Sequence, residues 1–281
     1  MIMKLKMFFM LLAAGLLSLN LQSCDDDDDK GIAVSAELQN AFTEKYPNTQ
    51  VVKWETEGAH YVAEFYNDRY EADAWFTPDG IWQMTETDLP YDALPAAVRS
   101  AFQSSQYAQW KVEDVDMVER RAMETVYVIE VESGNQEMDL HYNVDGILVK
   151  EVPDTDGGSG SYLPSDLTDA MRTFIEKNYP GASIVETDYE ANWVEVDIIH
   201  DRTAKEVRFT TAGEWVSTSW DIRLTDVPQV VKDAALAAHA GFVMDDADYV
   251  QTPAGDYYLI ELEKGEQDVY VKVQADGTVL Q

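Results

Sequence analysis

Four tight-turn signatures recur along the chain at nearly constant spacing, and they constrain the fold more than any other feature. Thr77-Pro78-Asp79-Gly80, Asn143-Val144-Asp145-Gly146, Thr210-Thr211-Ala212-Gly213 and Gln274-Ala275-Asp276-Gly277 place their glycines 66, 67 and 64 residues apart. Counting back four, six and eight positions from each glycine gives Phe76, Ala74 and Ala72, then Tyr142, Leu140 and Met138, then Phe209, Val207 and Lys205, then Val273, Val271 and Val269. An apolar residue at every second position ahead of a turn marks a strand with one buried face entering a hairpin. Trp82, Leu148, Trp215 and Val279 stand two positions beyond the glycines, as returning strands require. The chain therefore reads as four copies of one unit.

Each unit opens with a helical pattern. Leu38, Ala41, Phe42, Lys45 and Tyr46 lie at helical spacing before Pro47, and Leu94, Ala97, Val98, Ala101 and Phe102 repeat it. Leu167, Ala170, Met171, Phe174 and Ile175 form the third copy, and Val230, Val231, Ala234, Ala235 and Ala238 the fourth. Ser35, Ser165 or Asp166, and Asp226 are the candidate caps, with Pro95 near the first turn of the second helix. Middle strands follow at Val126 to Val131, Trp193 to Ile199 and Tyr257 to Leu262. The expected fold class is α+β, tandem repeats of one helix packed on a roughly four-stranded antiparallel sheet, with the helix on one face and charged residues on the other. Helices recurring this regularly argue against a four-bladed propeller.

A unit of about 64 residues is small for a core of its own, so pairing into two domains is expected. Asp154 to Ser161 supplies the boundary, with three glycines and two serines in eight residues. The expected domains are 34–153, with units 34–88 and 89–153, and 163–281, with units 163–223 and 224–281, joined by a linker at 154–162. Asp154 and Asp156 resemble the start of an EF-hand loop, but the twelfth position is Ser165 where a bidentate Glu is needed.

The amino terminus reads as processing information. Lys4 and Lys6 precede an apolar run from Met7 to Leu17 that is too short to span a bilayer, and Leu21-Gln22-Ser23-Cys24 follows. This resembles a bacterial lipoprotein signal: residues 1–23 are removed and Cys24 becomes the lipidated first residue, the alternative being a secretory signal with an incidental cysteine. Residues 24–33 form an acidic tether, because five adjacent carboxylates from Asp25 to Asp29 repel one another too strongly to pack. An acidic stretch behind the lipid cysteine is similar to the surface-export signal of Bacteroidetes lipoproteins, so an outer-membrane anchor is expected, facing outward or into the periplasm. The tether offers oxygen donors to calcium but no preformed site.

Composition excludes whole classes of partner. With 53 acidic and 20 basic side chains the formal net charge is −33, and no basic run offsets it locally, which rules out nucleic acid. Cys24 is the single cysteine, so no intramolecular disulfide is available.

Phe42-Thr-Glu-Lys-Tyr-Pro with Val52-Lys53-Trp54 behind it, Phe174-Ile-Glu-Lys-Asn-Tyr-Pro-Gly with Ile184-Val185, and the Phe76-Thr-Pro-Asp-Gly and Phe209-Thr-Thr-Ala-Gly turns resemble the PepSY-like, beta-lactamase-inhibitor-protein-like secreted proteins of Bacteroidetes. The resemblance spans nearly all of residues 34–281, although Ser105-Gln106-Tyr107 and His239-Ala240-Gly241 replace the Tyr-Pro ending in the second and fourth units. It implies helices packed on four-stranded antiparallel sheets in tandem, and it carries no inhibitory residue onto this chain.

No catalytic, metal or cofactor site is expected. His60, His141, His200 and His239 form no His-x-x-x-His or His-Glu-x-x-His pattern, and alternation turns His141 away from the Leu140 face. Carboxylates are too plentiful to mark a glycosidase pair, so Glu130, Glu195 and Asp197 read as outward strand positions. No nucleophile elbow, phosphate loop or dinucleotide fingerprint is present. Aromatics give the better lead. Trp75 lies between Ala74 and Phe76 and points to the opposite face with Glu71 and Asp73, while Trp193 shares a face with Glu195 and Asp197. Trp75, Asp73, Trp193 and Glu195 are thus the candidate surface for an unknown protein or peptide partner, a basic one by charge; packing between repeats or against the linker is the structural alternative. A non-enzymatic envelope-anchored binding or inhibitor-like module is the favoured function, with a carbohydrate-binding or hydrolytic protein as the alternative.

Overall fold

The helices form where the apolar spacing and the cap residues place them. In the computed structural model, which describes residues 31–153, 162–265 and 267–280, the helices are α1 (Ala36–Lys45), α2 (Ala96–Ser104), α3 (Asp169–Asn178) and α4 (Gln229–Ala238). Ser35 caps α1 by accepting from the Leu38 amide at 3.3 Å. The cap of α3 is Thr168, which accepts from the Met171 amide at 3.3 Å, not Ser165 or Asp166. The helix begins one turn later than the apolar pattern suggests, and the Asp166 carboxylate instead accepts from Arg121 at 2.8 Å. Pro95 and Pro228 stand at the caps of α2 and α4.

Four strands follow α1, namely β1 (Val51–Glu57), β2 (His60–Asn67), β3 (Tyr70–Phe76) and β4 (Trp82–Asp88). Four more follow α2: β5 (Lys111–Arg120), β6 (Val126–Ser133), β7 (Gln136–Asn143) and β8 (Leu148–Pro153). After α3 come β9 (Ser183–Tyr189), β10 (Trp193–His200), β11 (Thr203–Thr210) and β12 (Trp215–Asp221), and after α4 come β13 (Val243–Gln251), β14 (Tyr257–Lys264) and β15 (Gln267–Val273). The units do not keep separate four-stranded sheets. Hydrogen bonds between β4 and β5, and between β12 and β13, fuse each pair into a continuous antiparallel meander, one of eight strands and one of seven. Fusion removes two exposed strand edges per pair, which is the physical reason a unit does not stop at four. The final returning strand shrinks to a single bridge between Val273 and Val279.

Each helix covers its own quarter of sheet. Leu38 and Phe42 of α1 pack on Trp54, Phe65, Ala74 and Phe76, and the three other helices make matching cores around Leu140 and Tyr142, Val207 and Phe209, and Val271 and Val273. The repeated turn glycine sits beneath this packing. Gly146 has φ of 77°, and a Cβ there would lie 2.6 Å from the Ala97 carbonyl oxygen of α2. Glycine recurs in the repeat because the hairpin tip presses against a helix and requires a left-handed backbone. The helix ends are tied down as well. The Tyr46 hydroxyl bonds to Thr85 Oγ1, to which Trp82 Nε1 also donates at 2.8 Å. Tyr179 and Trp215 repeat the arrangement on Thr218 at 2.8 and 3.0 Å. In the second unit the Tyr107 hydroxyl donates to Glu151 at 2.7 Å, so the anchoring tyrosine survives without its proline.

The helix-free faces are not simply charged surfaces. Val118, Val126 and Val128 of the N-terminal sheet meet Val185 and Ile199 of the C-terminal sheet in a shared apolar cluster, and residues 31–281 form one unit. Cys24, the signal at 1–23 and all but residues 31–33 of the tether lie outside the described residues, as does the linker except Tyr162.

Candidate acidic cleft

Trp75 is corrected by its burial. Alternation does turn it away from the Ala74 and Phe76 face, but it is 1% exposed and packs with Val62 and Met84 beneath Tyr162 and Leu163. Its Nε1 donates to Glu57 at 3.0 Å. The chain leaving the linker lies back on the sheet and seals this tryptophan, so Trp75 is no partner surface. Asp73, on the same face of β3, is partly exposed and stands opposite Glu64 and Glu86. Trp193 and Glu195 belong to the other sheet.

Trp193 is 39% exposed, at the start of β10 on the helix-free face. Its ring has the Arg208 guanidinium 5.6 Å from the centroid. Arg208 also bonds Glu195 at 3.2 Å and Glu206 at 2.6 Å. Cross-strand register then fixes the rest of the face. Asp188, Glu195 and Arg208 occupy one rung of β9, β10 and β11, and Glu186, Asp197 and Glu206 occupy the next. Like charges directly opposite one another in a sheet are destabilising, so a rung of three carboxylates needs compensation. Lys150 provides part of it by reaching from β8 to Asp188 at 2.5 Å and Glu186 at 3.3 Å. Arg120 lies 3.9 Å from Glu186.

Glu195, Asp197 and Glu206 of these rungs line a cleft of about 270 Å³ between the β8 edge and the helix-free face of the C-terminal sheet, which also includes Lys205, Asp221 and Asp248. Burial pushes the Asp197 carboxyl well above the usual carboxylate range despite Lys150 nearby, and it raises Glu206 too. Asp248 is raised to about 7 by burial and by the facing Asp221. The cleft wall toward the N-terminal sheet has the opposite character. His141 is buried beside Arg120 and Lys150, and burial plus these two cations lower it to about 3, so the imidazole is neutral.

Sequence reasoning placed Trp193, Glu195 and Asp197 on one face but missed Lys150, Arg120, Asp188 and Glu206. Each lies on a different strand, and only the register brings them together. The carboxylates do not form an acid and base flanking a substrate. Glu195 is already bonded to Arg208 and Asp188 to Lys150.

Several solved structures resemble parts of the chain. A BLIP-like protein from Bacteroides fragilis NCTC 9343 is 38% identical over 48% of this chain and 96% of its own, with a TM-score of 0.44. A DUF2874 family protein from Bacteroides ovatus ATCC 8483 is 33% identical over 46% of this chain and 94% of its own, with a TM-score of 0.43. No curated protein matches the chain. The family described as "Putative beta-lactamase-inhibitor-like, PepSY-like" matches residues 31–72, 59–150 and 194–281, well over half of the sequence, and the chain belongs to that family.

Proposed function

We propose that the protein is a non-enzymatic binding module of the cell envelope, which holds a basic protein or peptide partner on the acidic helix-free face of its C-terminal sheet. The observation that carries this reading is Trp193, an exposed aromatic at the end of two carboxylate-rich rungs. An aromatic supplies buried area and the carboxylates steer a cationic partner. Buried Trp75 drops out of the surface, and Trp193 and Glu195 carry it. The lipoprotein-like start supports attachment through Cys24 to the outer membrane, and Cys24→Ala is expected to move the protein from the membrane to the soluble fraction.

The test uses the chain from Gly31 onward, which is one unit with its own cores. Fluorescent peptides of equal length, Lys/Arg-rich, neutral or Asp/Glu-rich, are titrated and followed by anisotropy. The basic peptides alone should bind, more weakly as salt rises, and Trp193→Ala should weaken them about tenfold, equivalent to ~1.4 kcal/mol. Equal binding by Trp193→Ala, or no preference for the basic peptides, would overturn the proposal.

A further inference from the structure

Asp197 is a carboxylate with 7% of its surface exposed, and among the described residues it makes no hydrogen bond or ion pair. Lys150 relieves it only in part. One carboxylate oxygen from each of Asp188, Glu195 and Asp197 lies within 4.8 Å of the others, and Asp197 is the buried member, aimed at the other two. Leaving a buried charge uncompensated is among the costliest arrangements a fold can contain. Without a further cation, the group avoids that cost by holding its proton, which is why burial raises its pKa.

From this unpartnered buried carboxylate and the two that face it, we infer a divalent cation site of calcium type at Asp188, Glu195 and Asp197. Charge agrees with it. Glu186, Asp188, Glu195, Asp197 and Glu206 face the fixed cations Arg120, Lys150 and Arg208, five negative groups against three positive, with His141 neutral. Calcium accepts irregular sets of carboxylate and water oxygens, whereas magnesium demands a near-regular octahedron at about 2.0 to 2.1 Å. A mixed set of carboxylates on two adjacent strands, open on the cleft side to water, suits the looser geometry. The second acidic group in the cleft, Asp221, Asp246 and Asp248, is more exposed and lacks a buried unpartnered member, so it is not assigned.

The site does not depend on the partner reading and is tested without any peptide. Chelator-treated protein from Gly31 onward, which lacks the Asp25 to Asp29 run, is titrated with calcium by calorimetry and by the shift in melting temperature. Terbium luminescence, excited through tryptophan, reports location, since Trp193 stands two residues from Glu195 on the same face. One calcium per chain is expected, with affinity reduced at least tenfold in Asp197→Asn and unchanged in Asp248→Asn, and terbium emission should fall by more than half in Trp193→Phe. Asn replaces the protonated carboxyl with little change of shape, and Glu195→Gln carries the same test if Asp197→Asn fails to fold. No calcium heat or melting shift up to millimolar calcium, or binding that survives Asp197→Asn and Glu195→Gln but is lost in Asp248→Asn, would overturn the assignment.

Discussion

Trp75 and Trp193 occupy the same kind of sequence context and have different fates. Each alternates with carboxylates on a strand whose other face packs under a helix, yet Trp75 is sealed at 1% exposure while Trp193 is open at 39%. The difference comes from what crosses the helix-free face. Tyr162 and Leu163 fold back over Trp75, whereas Trp193 carries the Arg208 guanidinium 5.6 Å from its ring centroid and stays partly open. Alternation therefore assigns a face, and tertiary packing decides whether that face sees solvent.

Substitution at the two positions should separate stability from binding. Trp75→Ala removes a large side chain from a filled inter-sheet space and leaves Glu57 without its indole donor, so a loss of about 3 to 5 kcal/mol is expected in urea unfolding. Trp193→Ala should change stability by less than about 1 kcal/mol while weakening the basic peptides. A loss of stability at Trp193 matching that at Trp75 would break the distinction between a closed and an open face.

The turn glycines sharpen the comparison from the helix side. Gly146 and Gly213 have φ of 77° and 84°, so alanine is strained at both. At Gly146 the new Cβ would also meet the Ala97 carbonyl at 2.6 Å, whereas at Gly213 its nearest neighbour is the Thr168 hydroxyl at 3.4 Å. Backbone cannot move aside as a side chain can. Gly213→Ala should cost about 1 to 2 kcal/mol from the left-handed conformation alone, and Gly146→Ala at least ~1 kcal/mol more, as read from urea midpoints.

These cases show what was legible in the sequence. The four glycines, the two-residue apolar alternation before them and the helical spacing of residues such as Leu38 and Phe42 located all four units, because local periodicity and turn chemistry are written in consecutive residues. The fusion of β4 to β5 and β12 to β13 was not legible, since edge pairing is decided by what else covers an edge. Nor was the cleft. Glu186, Asp197 and Glu206 are unremarkable carboxylates until register places them on one rung, and Lys150 reaches them from the other sheet. Asp197 was expected to point outward, and it does, into a cleft instead of bulk water.

The smallest net effect in the parent protein lies in the pH dependence of stability, where the two sides of the cleft carry opposite signs and offset each other. Asp248, on the open face, is raised from 3.8 to about 7 in the fold. Between those values the folded state holds a proton that the unfolded chain has released, so stability falls as pH rises through this window. His141, on the closed face, is lowered from 6.5 to about 3. Between those values the unfolded chain takes up a proton that the folded state refuses, so stability rises with pH there. A full proton difference is worth ~1.4 kcal/mol per pH unit, and Asp248, partly open to solvent, contributes a fraction of that. Over pH 4.5 to 6.5 at fixed ionic strength the two slopes oppose each other. Asp248→Asn should therefore make stability rise more steeply with pH than in the parent protein, and His141→Gln should make it fall more steeply. Urea midpoints at half-unit steps read both slopes, and displacement of both variants in the same direction would show that the two sides of the cleft share one electrostatic environment.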